Sequence, residues 1–141
     1  MAERAFDMQT VALYLRLSRE EADREESLSI ENQRQMLRAF VKEHLPEDSI
    51  REFCDDGCSG TTTERAGFLQ MIACVKKGEV QTIVVKDFSR FSRDYIVLGE
   101  YLSGIFPALG VRFISVLDRY DGAREEDVWS VCRPFGYLFC D

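Results

Sequence analysis

Apolar and polar positions along the chain alternate between short β-branched runs and longer stretches with helical spacing. Residues 11–17 (VALYLRL) read as a first strand, with Arg16 set among apolar neighbours. Residues 19–26 are so rich in charge that a solvated loop is expected there. Ser29 is then the N-cap of the next helix, with Glu31 in its first turn complementing the helix dipole. Ile30, Leu37, Phe40 and Val41 mark the apolar face of that helix, and Pro46 and Asp48 break the pattern after His44. A second strand is predicted at 50–54, running into the turn-rich stretch DDGCSGTTT at 55–63. Phe68, Ile72 and Val75 space a second helix, closed by Gly78. Residues 82–86 (TIVVK) form a nearly continuous apolar strand, the kind covered on both faces. After a loop at 87–94, Leu98, Leu102, Ile105 and Leu109 define a third helix, Gly110 ends it, and 111–117 supply a fourth strand.

This βαβαβαβ order predicts an α/β fold: three layers, with a mainly parallel sheet of four to five strands and helices on both faces. No internal repeat or low-complexity linker interrupts it. From Arg119 the pattern lapses. Asp121-Gly122 turns the chain, and Trp129, Phe135, Tyr137 and Phe139 follow around Pro134 and Gly136 without periodicity. Packing back on the domain, adding an edge strand and hanging free all stay open for this tail.

Composition narrows the picture. A chain of 141 residues suits one domain. The net charge of −7 argues against an extended phosphate-binding surface, while leaving room for a local basic site. No apolar run reaches the roughly 18 residues of a membrane span, and MAERAFDMQT has no signal core, so a cytoplasmic protein without membrane contact is expected. Cys54, Cys58, Cys74, Cys132 and Cys140 contain no C-x-x-C pair, and His44 is the only histidine, so no metal is expected. Cys54 and Cys58 read as reduced thiols near a strand end.

The unusual polar residues fall where ligands bind an open α/β sheet, beyond the carboxyl ends of its strands. Arg16 and Ser18 end the first strand on one side, since side chains alternate along a strand. The second strand runs into Asp55, Asp56 and Ser59, and its loop leads to Arg65. The third runs into Ser89, Arg90 and Arg93, the two arginines spaced to share one face of a helical turn with Phe88 and Phe91 anchoring the other. Gln33 lies on the apolar side of the first helix, where an amide needs a partner. Each arginine alone has a plainer explanation, Arg16 pairing with Glu20, and Arg90 or Arg93 with Asp94. Their convergence with a serine points instead to a phosphorylated ligand and nucleophilic attack on phosphorus, the guanidinium groups carrying the charge that metals carry elsewhere. No base for Ser18 stands out; Asp56 is a candidate.

These segments resemble the serine site-specific recombinases, the resolvases, invertases and large transposon or phage integrases. The resemblance rests on YLRLS at 14–18, SIENQ at 29–33, DGCSG at 56–60 with Arg65 and Phe68, and VVKDFSRFSRD at 84–94. It covers about 10–122 and is nearest to the large, transposon-type branch. It implies a DNA recombination enzyme in which Ser18 attacks a DNA phosphodiester to give a 5′-phosphoserine link, followed by strand exchange and religation without ATP, metal or other cofactor. Arg16, Arg65, Arg90 and Arg93 would then grip the phosphate, with Gln33 and Asp56 assisting, and Ser59, Ser89 and Tyr14 in support. Small resolvases usually carry Asp where this chain has Ser89.

The family acts on DNA as dimers that form tetramers, so action at the nucleoid is implied. The expected organisation is a catalytic domain at 1–122 and an atypical tail at 123–141, truncated before the long helix and DNA-binding domain of the family. Such a chain is expected to hold DNA weakly and to be inactive in isolation. Two other readings differ in class: a non-cutting recombinase remnant that binds partners or regulates, and a receiver-like phosphate-responsive module. The receiver is disfavoured by the arginine-rich sequence Asp87-Phe88-Ser89-Arg90 after the third strand.

Overall fold

In a computed structural model of the chain, residues 9–17, 19–46, 48–56 and 65–124 are described, with backbone only at 19–29 and 56. Strands β1 (Thr10–Leu17), β2 (Ser49–Asp56), β3 (Thr82–Val85) and β4 (Arg112–Ser115) are parallel, and β5 (Tyr120–Asp121) runs antiparallel on β4. Their order across the sheet is β2-β1-β3-β4-β5. The fold is thus the predicted α/β sandwich, with β1 and β3 in the middle.

Alternation along β1 builds both cores. Val11, Leu13, Leu15 and Leu17 point to one side, where they meet Ile30, Leu37 and Val41 of helix α1 (Arg19–His44). Ala12 and Tyr14 point to the other, against Met71, Ile72 and Val75 of α2 (Ala66–Lys76) and the helical segment that follows β3. All four side chains of β3 are buried, as expected for a strand covered on both faces.

Helix α1 starts at Arg19, so the expected charged loop at 19–26 is helical backbone and Ser29 lies inside the helix rather than at its cap. Glu and Arg are good helix formers, and acids near an N-terminus favour the dipole. This first stretch therefore needs no apolar contact of its own to extend a helix anchored further on by Ile30, Leu37 and Val41.

Beyond β3 the chain makes a single turn, α3 (Phe88–Phe91), and then α4 (Tyr95–Glu100), a π-helical turn at Tyr101–Ile105, and α5 (Phe106–Leu109). The π turn corrects the expected apolar face. Its wider spacing shifts the register, so Phe106 follows Leu98 and Leu102 inward, while Leu109 is 46% exposed. Gly110, at φ 71°, ends the helix as expected, and Gly78, at φ 79°, closes α2. The short edge strand β5 is held to β4 by Arg112 and Asp121, 2.7 Å apart. Among the described residues, no helix is long and apolar enough to cross a membrane. Residues 125–141, and with them Trp129 and the aromatic tail, lie outside those described.

Candidate active site

Strand β2 extends to Asp56, past its expected end at Cys54, because β1 continues beside it: Arg16 lies opposite Asp55 and Leu17 opposite Asp56. Residues paired across a parallel ladder share a face, so Asp55 joins Tyr14 and Arg16 on the side covered by α2. Asp55 is buried. Its Oδ1 accepts from the Gly67 N–H at 2.8 Å, and its Oδ2 accepts from the Phe68 N–H at 2.8 Å and the Tyr14 hydroxyl at 2.6 Å. The carboxylate of one strand thereby caps the N-terminus of α2, whose own preceding residue, Arg65, makes no side-chain cap.

Arg65 is buried directly before that helix. Its Nε and Nη2 donate to the Tyr14 hydroxyl at 3.2 and 3.0 Å, and Nη2 also reaches the Phe91 carbonyl. The guanidinium lies 4.2 Å from the centre of the Phe68 ring. Burial, then the bond to Asp55, raises the Tyr14 phenol above its ordinary range, with Arg65 pulling the other way. The phenol therefore keeps its proton and acts as the donor to Asp55.

Arg16 has 0% exposure. Its Nε donates to the Arg90 carbonyl at 3.0 Å and its Nη2 to the Ser89 carbonyl. Arg90, also buried, returns a bond from Nη1 to the Arg16 carbonyl at 3.0 Å. Burial lowers the pKa of Arg16 first, and Arg65, Arg93 and Arg90 lower it further. All four predicted arginines therefore lie within electrostatic reach of one point at the end of β1. Glu20, offered as a plainer partner for Arg16, has its side chain outside the described residues, and Arg90 lies 3.8 Å from Asp87 rather than pairing with Asp94.

Gln33 has a different station. It is buried, on α1 at the opposite face of the sheet, and clasps the Arg16 backbone: Oε1 accepts from the Arg16 N–H at 3.4 Å and Nε2 donates to the Arg16 carbonyl at 3.1 Å. Pairing between β1 and β3 spans only Val11, Ala12 and Leu13. The amide thus supplies hydrogen bonds to β1 beyond that pairing.

Arg93 departs from the predicted helical face. α3 stops at Phe91, and Ser92 is extended (φ −161°, ψ 141°), so the chain turns away before Arg93. Phe91 has 0% exposure and Phe88 packs partly buried beside the same core, as anchors should. Arg93 is exposed and, with Ser89, Ser92, Tyr95 and Asp118, lines an open cleft of about 520 Å³. The Ser89 hydroxyl donates to Asp87 at 2.6 Å, while its carbonyl serves Arg16. Ser18, Cys58 and Ser59 lie outside the described residues, as does the Asp56 side chain.

Sequence reasoning named Asp55 at the strand end but gave it no role. The missed signal is strand alternation, which groups Asp55 with buried Phe53. Gly67 also matters: a Cβ there would come within 2.8 Å of the Cys54 carbonyl and 3.1 Å of both Asp55 carboxylate oxygens. Gly67→Ala is expected to destabilise the domain by about 1–3 kcal/mol, because a backbone carbonyl cannot step aside. Urea unfolding at unchanged m-value would measure it.

Four guanidinium groups gathered at the carboxyl end of a parallel sheet can hold a phosphate and offset charge growing on its oxygens. The family described as Resolvase, N terminal domain, matches residues 11–129. The chain belongs to the resolvase family. It is a serine recombinase catalytic domain by that membership. The N-terminal catalytic domain of TP901-1 integrase has the same fold (TM-score 0.76, 20% identity, 92% of this chain and 93% of that one). A resolvase family site-specific recombinase from Streptococcus pneumoniae is similar over 92% of this chain and 87% of its own, at 27% identity and TM-score 0.73. A serine recombinase from Sulfolobus solfataricus is 26% identical over 93% of this chain and 86% of its own, at TM-score 0.61. Comparison with curated proteins finds no match.

Proposed function

We propose that this resolvase-family domain cuts and rejoins DNA through Ser18. The Ser18 oxygen forms a bond to the phosphorus of a DNA phosphodiester and the bond to the 3′ oxygen breaks. The serine hydroxyl loses its proton, the departing 3′ oxygen gains one, and the 5′ end remains on the protein as phosphoserine. After strand exchange, the 3′-hydroxyl attacks the phosphoserine and restores both the DNA and the serine. Arg16, Arg65, Arg90 and Arg93 offset the negative charge that builds on the non-bridging oxygens. Gln33 and Tyr14 hold Arg16 and Arg65 in place, Ser89 contributes its carbonyl, and Asp56, at the end of β2, and Ser59 assist. DNA is the partner, and the reaction consumes no ATP.

One observation carries this reading: three arginines are buried together at the end of β1 in a chain of this family. Gathering like charges away from water is costly unless an anion or strong hydrogen bonds compensate. A phosphodiester supplies the anion, and the carbonyls of residues 89–91 hold Arg16 and Arg65 ready for it.

The test is direct. The protein, fused to a family DNA-binding domain, is incubated with DNA carrying the matching sites, and the covalent species is digested and mapped by mass spectrometry. The expected product is a nucleotide on Ser18, attached through a 5′ phosphate. An adduct on another residue, or none with a fusion that binds its sites, would overturn the proposal.

A further inference from the structure

We propose that Asp55 is a positioning residue: through the Tyr14 hydroxyl it sets the orientation in which Arg65 presents its guanidinium to the scissile phosphate. The idea rests on Arg65 being a phosphate ligand, as proposed above. Asp55 touches no reacting atom in this scheme, and acts through two intermediaries.

A phenol has one proton and two lone-pair directions. The 2.6 Å bond commits the Tyr14 proton to Asp55, which leaves the oxygen's lone pairs facing the Nε and Nη2 of Arg65. The same carboxylate holds the N–H groups of Gly67 and Phe68, the second and third residues after Arg65. Asp55 therefore fixes Arg65 at both ends, its backbone through the start of α2 and its guanidinium through the phenol. The Phe68 ring beneath the guanidinium and the Phe91 carbonyl beside it add to the seat. Interposing a neutral phenol lets a carboxylate orient the arginine while transmitting the contact through a hydroxyl, which softens the neutralisation a direct carboxylate contact would bring.

The competing role for Asp55 is a helix cap and nothing more. The two separate through Tyr14, because Tyr14→Phe leaves the cap on Gly67 and Phe68 intact and cuts the route to Arg65. Solvent exchange of the Arg65 Nε proton, followed by NMR on the ¹⁵N-labelled 141-residue chain, reads the guanidinium itself. Tyr14→Phe and Asp55→Asn are each expected to speed that exchange about tenfold, the order of one lost hydrogen bond, and the double variant no more than either single. Only Asp55→Asn should also loosen the Gly67 and Phe68 amides.

An Arg65 Nε proton exchanging at the wild-type rate in Asp55→Asn overturns the proposal. So do single effects that multiply to about a hundredfold in the double variant, since independent contributions behave that way. Should Asp55→Asn fail to fold, Tyr14→Phe tests the last step: unchanged protection of Arg65 overturns the proposal, and faster exchange sustains the Tyr14–Arg65 link on which it depends. The readout needs no DNA, so a missing Ser18 adduct would remove the reaction while leaving this result standing.

Discussion

Ser18→Ala is expected to remove the covalent protein–DNA species below detection. Losing a nucleophile that acts in concert with its neighbours costs on the order of 10⁶ in kcat in a serine hydrolase, far beyond the span of a gel assay. The expectation follows from the proposed role of Ser18, which comes two residues after Arg16 in the sequence. Arg16 is locked by the carbonyls of Ser89 and Arg90 and lies in the field of Arg65, Arg90 and Arg93. In the proposed reaction the Ser18 hydroxyl attacks a phosphate bound by these arginines, and alanine leaves nothing to attack it. Cys58→Ala is the control. It removes the most nucleophilic side-chain type in the sequence between β2 and Arg65, and the adduct is expected at the wild-type yield. Denaturing gels of protein crosslinked to labelled DNA measure both. Equal yields from Ser18→Ala and wild type would end the assignment.

Phe91→Ala is expected to cost about 3–5 kcal/mol of stability, the usual range for truncating a buried phenylalanine. Phe91 has 0% exposure, and its ring lies 5.1 Å from Phe68, 5.1 Å from Phe113, 5.2 Å from Tyr101 and 5.7 Å from Phe106, all edge-on. Those partners come from α2, the π turn, α5 and β4, so one cavity loosens contacts to all four. Domains of this size are stable by about 5–15 kcal/mol in all, which makes this loss a large fraction of the total. A fall of roughly 10–20 °C in Tm follows. Phe91→Leu keeps most of the volume and is expected to fall much less. A Tm for Phe91→Ala within two or three degrees of wild type, on the scale of about 1 kcal/mol or less, would contradict this account. The same residue supplies the carbonyl that receives Arg65, so its ring keeps the core together while its backbone serves the site.

Several features were legible in the residues because they depend on local periodicity. The run TIVV announced a strand covered on both sides, Gly78 and Gly110 announced helix ends, and Arg16 was conspicuous as a charge inside an apolar strand. The buried amide of Gln33 announced a partner, and the backbone of Arg16 is that partner. Other features turn on partners far along the chain. Arg93 looked like a neighbour of Arg90 on a helix because i,i+3 spacing assumes the helix continues, and only the extended Ser92 shows where it stops. The stretch 19–26 looked like a loop because charge signals solvent, yet Glu and Arg also favour helix once a later apolar face anchors it.

By itself the sequence determined the α/β order, the gathering of arginines at strand ends and the family to which the chain belongs, because strand alternation and helical spacing are properties of neighbours in the chain. Tertiary structure decided which charges are buried together and what each one touches. Strand alternation sets Asp55 on the side of Phe53, but nothing local names what its carboxylate holds. The register that sets Asp55 beside Arg16, and the start of α2 that brings Gly67 and Phe68 to its carboxylate, single it out. Register and helix docking are long-range choices, made by burying both faces of one sheet at once.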